Sequence, residues 1–148
     1  MSITVKVCTT IDAPPEAVWS AVENIESHTT WMKDAVRITF KSEQHSGVGA
    51  EFECLTRIGQ LFTIDRFVVT QWRPGELMGI EHHGAVKGDA EFRLEPEGAD
   101  RTRFCWEERL RFPWWLGGVV GERVGNPVLR HLWGGNVERL KASIEDAR

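Results

Sequence analysis

The stretch Ile11-Asp12-Ala13-Pro14-Pro15-Glu16-Ala17-Val18-Trp19 runs an alternating strand straight into a proline-opened helix. Upstream, Ile3, Val5, Val7, Thr9 and Ile11 alternate with Thr4, Lys6, Cys8 and Thr10, the period of two of a half-buried strand. Downstream, Asp12 is placed to cap the helix, and the prolines sit at its opening, where a missing N–H is tolerated. Val18, Val22 and Ile25 share one helical face with Trp19 beside them. A second short helix is expected over 27–33, from Ser27-His28-Thr29-Thr30-Trp31-Met32.

Beyond it the pattern turns to strands at 35–43, 49–58, 61–73, 76–83, 86–95 and 101–112. Turn-forming breaks at Ser46-Gly47, Gly59-Gln60, Arg73-Pro74-Gly75, Gly84 and Glu97-Gly98-Ala99-Asp100 separate them. Connections this short imply an antiparallel meander. The C-terminus changes period: Asn126 reads as an N-cap with Pro127 at the first helical position. Leu129, Leu132, Trp133, Asn136, Leu140 and Ile144 then fall on one side.

The order strand, two short helices, six strands, long helix, together with the 11–19 and 27–32 motifs, resembles the START-like superfamily often called SRPBCC. That superfamily includes polyketide cyclase/dehydratase-like proteins and lipid-transfer START domains. The resemblance covers almost the whole chain and implies an α+β helix-grip fold. About seven antiparallel strands would wrap a long C-terminal helix, with a cavity between them, in a single domain over 1–148. Its motif is specific for fold rather than for function.

Composition narrows the classes of partner. The 148 residues carry a net charge of −4, which argues against nucleic acid. The longest apolar stretch, Phe112 to Gly121, is ten residues and too short to span a bilayer, so no stable membrane insertion is expected. No N-terminal apolar run follows a basic segment, which makes the cytoplasm the default location. Cys8, Cys54 and Cys105 are odd in number, far apart and without a Cys-x-x-Cys pair, and read as free residues buried in strands. Seven Trp, seven Phe and no Tyr suit a wide apolar interior and leave acid–base chemistry to His, Asp, Glu or Cys. With no phosphate loop, dinucleotide fingerprint or nucleophile elbow, no cofactor and no covalent catalysis are expected. His82 and His83 point to opposite faces of one strand and cannot chelate one metal together, so no metal site is expected either.

Alternation selects the inward residues. Met78, Ile80 and His82 share a face of one strand, and Phe104, Trp106, Glu108, Leu110 and Phe112 share a face of the last. Arg66 lies on the face of Phe62, Ile64, Val68 and Trp72 and is placed to pair with Glu108. Arg66, His82 and Glu108 are therefore read as a polar cluster in an apolar cavity, with a purely structural ion pair as the alternative. Gly134 and Gly135 stand in mid-helix, either as a close helix–sheet contact or as room for a ligand beside Trp133. Asn136, the polar residue of the inward stripe, either orients a ligand or bonds the sheet. The segment 112–121, with Trp114 and Trp115, reads as core, as a lid or as a shallow membrane contact.

The implied function is to bind a small hydrophobic or amphipathic molecule. The wall residues would be Trp19, Phe52, Phe92, Phe104, Trp106, Leu129 and Trp133, with Arg66, His82, Glu108 and Asn136 as polar groups. A cyclase/dehydratase-type enzyme, with His82 and Glu108 relaying a proton, stays open beside it. So does a protein-interaction module, although no exposed apolar patch is evident in the sequence. The oligomeric state is not specified.

Overall fold

A computed structural model of the chain describes residues 3–84 and 86–148. Strand β1 (Ile3–Ile11) leads into α1 (Pro15–Val22) and a 3₁₀ segment (Ile25–Thr30). Six strands follow: β2 (Ala35–Phe40), β3 (Glu51–Ile58), β4 (Leu61–Arg73), β5 (Leu77–His83), β6 (Lys87–Pro96) and β7 (Thr102–Arg111). After a 3₁₀ turn (Trp114–Leu116), α2 (Gly118–Asp146) closes the chain. The seven strands form one antiparallel sheet in the order β1-β7-β6-β5-β4-β3-β2, the helix-grip arrangement expected from the sequence.

The sheet buries one face because its strands alternate. Val5 and Val7 of β1 and Phe104, Trp106 and Leu110 of β7 are buried, as are Leu129, Trp133, Val137, Leu140 and Ile144 of α2. The helix therefore presents its apolar stripe to this face, and burial of that stripe rather than intrinsic propensity stabilises it.

Four expectations need correction. The helix α2 begins at Gly118, eight residues before Asn126, and carries Pro127 inside it. Asn126 is not its cap, and its side chain donates instead to the carbonyl of Thr4 in β1 (3.4 Å). Asp12 does not cap α1, whose N-cap is Pro14 without a side-chain bond. Finally, Cys8 and Cys105 are joined in a disulfide, leaving Cys54 as the free, buried cysteine among the described residues. The two lie directly opposite in the β1–β7 ladder with Cα atoms 4.1 Å apart, across 97 residues of sequence. Spacing along the chain carries no trace of that register, whereas the ladder brings the thiols together.

The alternation in β4 is the other departure. The ladder between β4 and β5 shifts register between Val69 and Gln71, the irregularity of a β-bulge. Asp65, Phe67 and Val69 face inward before it, while Phe62, Ile64 and Arg66 are exposed. After it Trp72 turns back inside to meet Trp19 edge-on at 5.2 Å.

Candidate functional site

Between the inner face of the sheet and the N-terminal half of α2 lies a cavity of about 320 Å³. Strands β3, β4, β5 and β7 supply most of its wall through residues such as Phe52, Phe67, Met78 and Trp106, and α2 closes it with Leu129 and Trp133. Leu61 and Val128 both line it and are about half exposed, so they mark its mouth. Phe112 and Gly125 stand there as well, and a Cβ at position 125 would come within 2.9 Å of the Phe112 ring.

A line of polar groups crosses this apolar interior. His82 Nε2 lies 3.3 Å from Glu108 Oε2, and the other carboxylate oxygen accepts from Trp106 Nε1 at 2.8 Å. The Trp106 ring stacks on Trp133 with centroids 4.8 Å apart and planes inclined by 18°. Trp133 Nε1 donates to Asp34 Oδ2 at 3.2 Å, and Asn136 Nδ2 donates to Asp34 Oδ1 at 2.7 Å. Asn136 Oδ1 in turn accepts from the Lys33 amide at 3.1 Å and from Arg139. Asp34 is held in place by its own carbonyl, which accepts from the Arg57 amide at 2.8 Å. Two stacked indoles are thus each tethered to a buried carboxylate, and neither carboxylate is left without a donor.

Burial sets the electrostatics. The Asp34 carboxyl is pushed above the ordinary carboxylate range by desolvation, only partly offset by the donors Asn136 and Trp133. The Cys54 thiol rises to about 11, first through burial, with the Thr56 hydroxyl pulling it partly back and Asp34, Asp65 and Glu108 adding repulsion. His28, wholly buried with Nε2 bonded to the Val22 carbonyl at 2.7 Å, falls to about 4 because its charged form would lose its hydration.

Of the residues singled out in the sequence, Phe52, His82, Phe92, Trp106, Glu108, Leu129 and Trp133 come together on the cavity wall. Arg66 does not: it lies on the outer face and pairs with Glu51 at 3.2 Å, because the bulge inverts the assumed facing of β4. Trp19 packs against Trp72 and Phe104 against Phe92, both in the core rather than on the wall. Asn136 is fully buried behind Asp34, so it acts on the cavity through that carboxylate. Gly134 and Gly135 do not line the cavity: a Cβ at 134 would meet nothing within 4 Å, and one at 135 would meet Arg139. The glycine that borders the cavity is Gly125.

Sequence reading missed Asp34, Asp65 and His28, and read Cys54 as a free buried cysteine without placing it on the cavity wall. Asp34 lies in the turn before β2, outside any alternating run, while the apolar Phe62 and Ile64 made the wrong face of β4 look inward. The core reading of 112–121 also gives way: Trp114 is 87% and Trp115 54% exposed, while the side chains of Leu116 and Val119 lie outside what is described. Phe62, Val120 and Val124 are exposed as well, apolar surface that the sequence reading did not foresee. Among the described residues, no group of three or more His, Cys, Asp or Glu is placed to hold a metal ion, and no helix is long and apolar enough to cross a membrane.

Fold and cavity together define a START-like protein. The chain belongs to the family described as "Polyketide cyclase / dehydrase and lipid transport", which it matches over residues 2–145. It is similar in structure to the Zhui aromatase/cyclase from Streptomyces sp. R1128, with a TM-score of 0.78, 14% identity, and coverage of 98% of this chain and 94% of that one. A START superfamily protein from Mycobacterium smegmatis gives a TM-score of 0.78 at 15% identity, covering 98% and 99% of the two chains. A conserved protein from Geobacillus kaustophilus gives 0.82 at 13% identity, covering 98% and 97%. No curated protein matches the sequence.

Proposed function

We propose that the chain, as one domain, binds a small apolar molecule in the cavity between sheet and α2. The carrying observation is the cavity of about 320 Å³, apolar over most of its wall yet crossed by positioned polar side chains. Pockets of this make-up bury the body of a ligand and use a few polar groups to orient it. Membership of the family and the likeness to an aromatase/cyclase and a START protein support the same reading.

The test is native mass spectrometry of the freshly purified protein, with solvent extraction of whatever accompanies it, followed by thermal shift against neutral polycyclic and lipid-like compounds. A discrete adduct, or a melting temperature that climbs with ligand concentration, is expected. An empty protein that no member of the panel stabilises would remove the reading.

The His82–Glu108 contact favours a second reading, a cyclase- or dehydratase-type enzyme. A histidine and a carboxylate 3.3 Å apart in an enclosed pocket can exchange a proton with a bound substrate. Turnover whose pH profile is lost in His82→Ala, with binding kept, distinguishes it from a carrier.

A further inference from the structure

The hydrogen-bonding capacity of the cavity is one-sided. No lysine or arginine is among the described residues that line it, whereas Asp34 and Glu108 both do. The indole donors on its wall are already committed, Trp106 Nε1 to Glu108 and Trp133 Nε1 to Asp34. Arg139 reaches Asp34 only through Asn136, from outside the cavity. What remains for a ligand is mainly acceptor capacity.

His82 points the same way. Its side chain lines the cavity and is 9% exposed, and neither Nδ1 nor Nε2 makes a hydrogen bond, although Nε2 lies 3.3 Å from Glu108 Oε2. In a neutral imidazole one of the two ring nitrogens carries a lone pair. The Phe67 ring, edge-on to the imidazole at 4.4 Å, offers it no replacement acceptor or donor of comparable strength. A buried ring nitrogen left without a partner favours a ligand that supplies the hydrogen bond it lacks.

We infer that this cavity takes an uncharged or cationic ligand, an apolar body whose polar end donates hydrogen bonds, and turns away fatty-acid carboxylates and other anionic amphiphiles. The inference rests on the ligand-binding reading above and specifies it. A hydroxyl or amine donates to a lone pair of the Glu108 or Asp34 carboxylate, both on the wall. A carboxylate entering the same place meets chiefly acceptors, and in an apolar enclosure the repulsion is weakly screened.

Three fluorescent probes with one apolar body separate the cases: 9-anthracenemethanol, 9-anthracenylmethylammonium and 9-anthracenecarboxylate, titrated into the full chain at neutral pH. The alcohol and the ammonium should bind at least about tenfold more tightly than the carboxylate. In Asp34→Asn/Glu108→Gln that gap should shrink to about threefold or less, chiefly because the carboxylate binds better. Glu108→Gln alone, checked by its melting curve, should narrow the gap in the same direction if the double variant folds poorly. A carboxylate that binds wild type as tightly as the alcohol overturns the inference and leaves the cavity a binding site. A gap that both variants leave unchanged also overturns it. Failure of all three probes to bind overturns both readings.

Discussion

His28 shows how far one side chain departs from its solution behaviour when the fold encloses it. Flanked by Trp31 and Phe92 at 5.3 and 5.6 Å, it stays neutral down to about pH 4. An unfolded chain would take up that proton near pH 6.5, so between 6.5 and 4 protons draw the protein toward unfolding. The stability this residue contributes is complete above 6.5 and lost as pH falls through that window. Asp34, shifted upward, has the opposite slope, since its folded form holds the proton more tightly. Denaturant unfolding from pH 7 to 4 should therefore show a shallower acid loss in His28→Phe than in wild type. Glu108 allows a second test. Removing it in Glu108→Ala strands the Trp106 indole N–H and should cost about 1–3 kcal/mol in urea unfolding, while Glu108→Gln, which keeps an acceptor, should cost far less.

At the scale of elements, β5 and β7 were legible from sequence and β4 was not. Alternation placed His82 and Glu108 inward correctly, because the β5–β6 and β6–β7 ladders run without a register shift. In β4 the bulge after Val69 reverses the facing, so Trp72, inward at one end, made Arg66 look inward at the other. Asp65 occupies the inward position instead. The early start of α2 escaped notice because Asn126-Pro127 imitates a helix opening, while 118–125 is glycine-rich and uncapped. That extra length brings Gly125 against Phe112 at the mouth. Gly125→Leu should drive the Phe112 ring into the opening and abolish the ligand-induced thermal shift while the far-ultraviolet circular dichroism stays helical.

For the molecule as a whole, the Cys8–Cys105 bond ties the edge strand β1 to β7 across 97 residues of intervening chain. A closure of that length stabilises chiefly by restricting the unfolded chain, typically by about 2–4 kcal/mol. Reductant, or Cys8→Ser/Cys105→Ser, should lower the melting temperature by roughly 5–15 °C. Unfolded without reductant, the protein should titrate one thiol, that of Cys54, out of its three cysteines. Three titratable thiols would show that the pair is open.

What the sequence determined by itself was local and periodic: the order of the elements, the antiparallel meander, the inward stripe of α2, and the inward aromatic face around Glu108. Each depends on repeats of two or of about 3.6 residues, which a single segment displays without its neighbours. Tertiary structure alone decided which residues meet. Asp34 finds Asn136 from 102 residues away, Cys8 finds Cys105 through ladder register, and the bulge exchanges Arg66 for Asp65. Those pairings arise from how strands align and where one carries an extra residue, quantities to which the periodicity of either partner is blind.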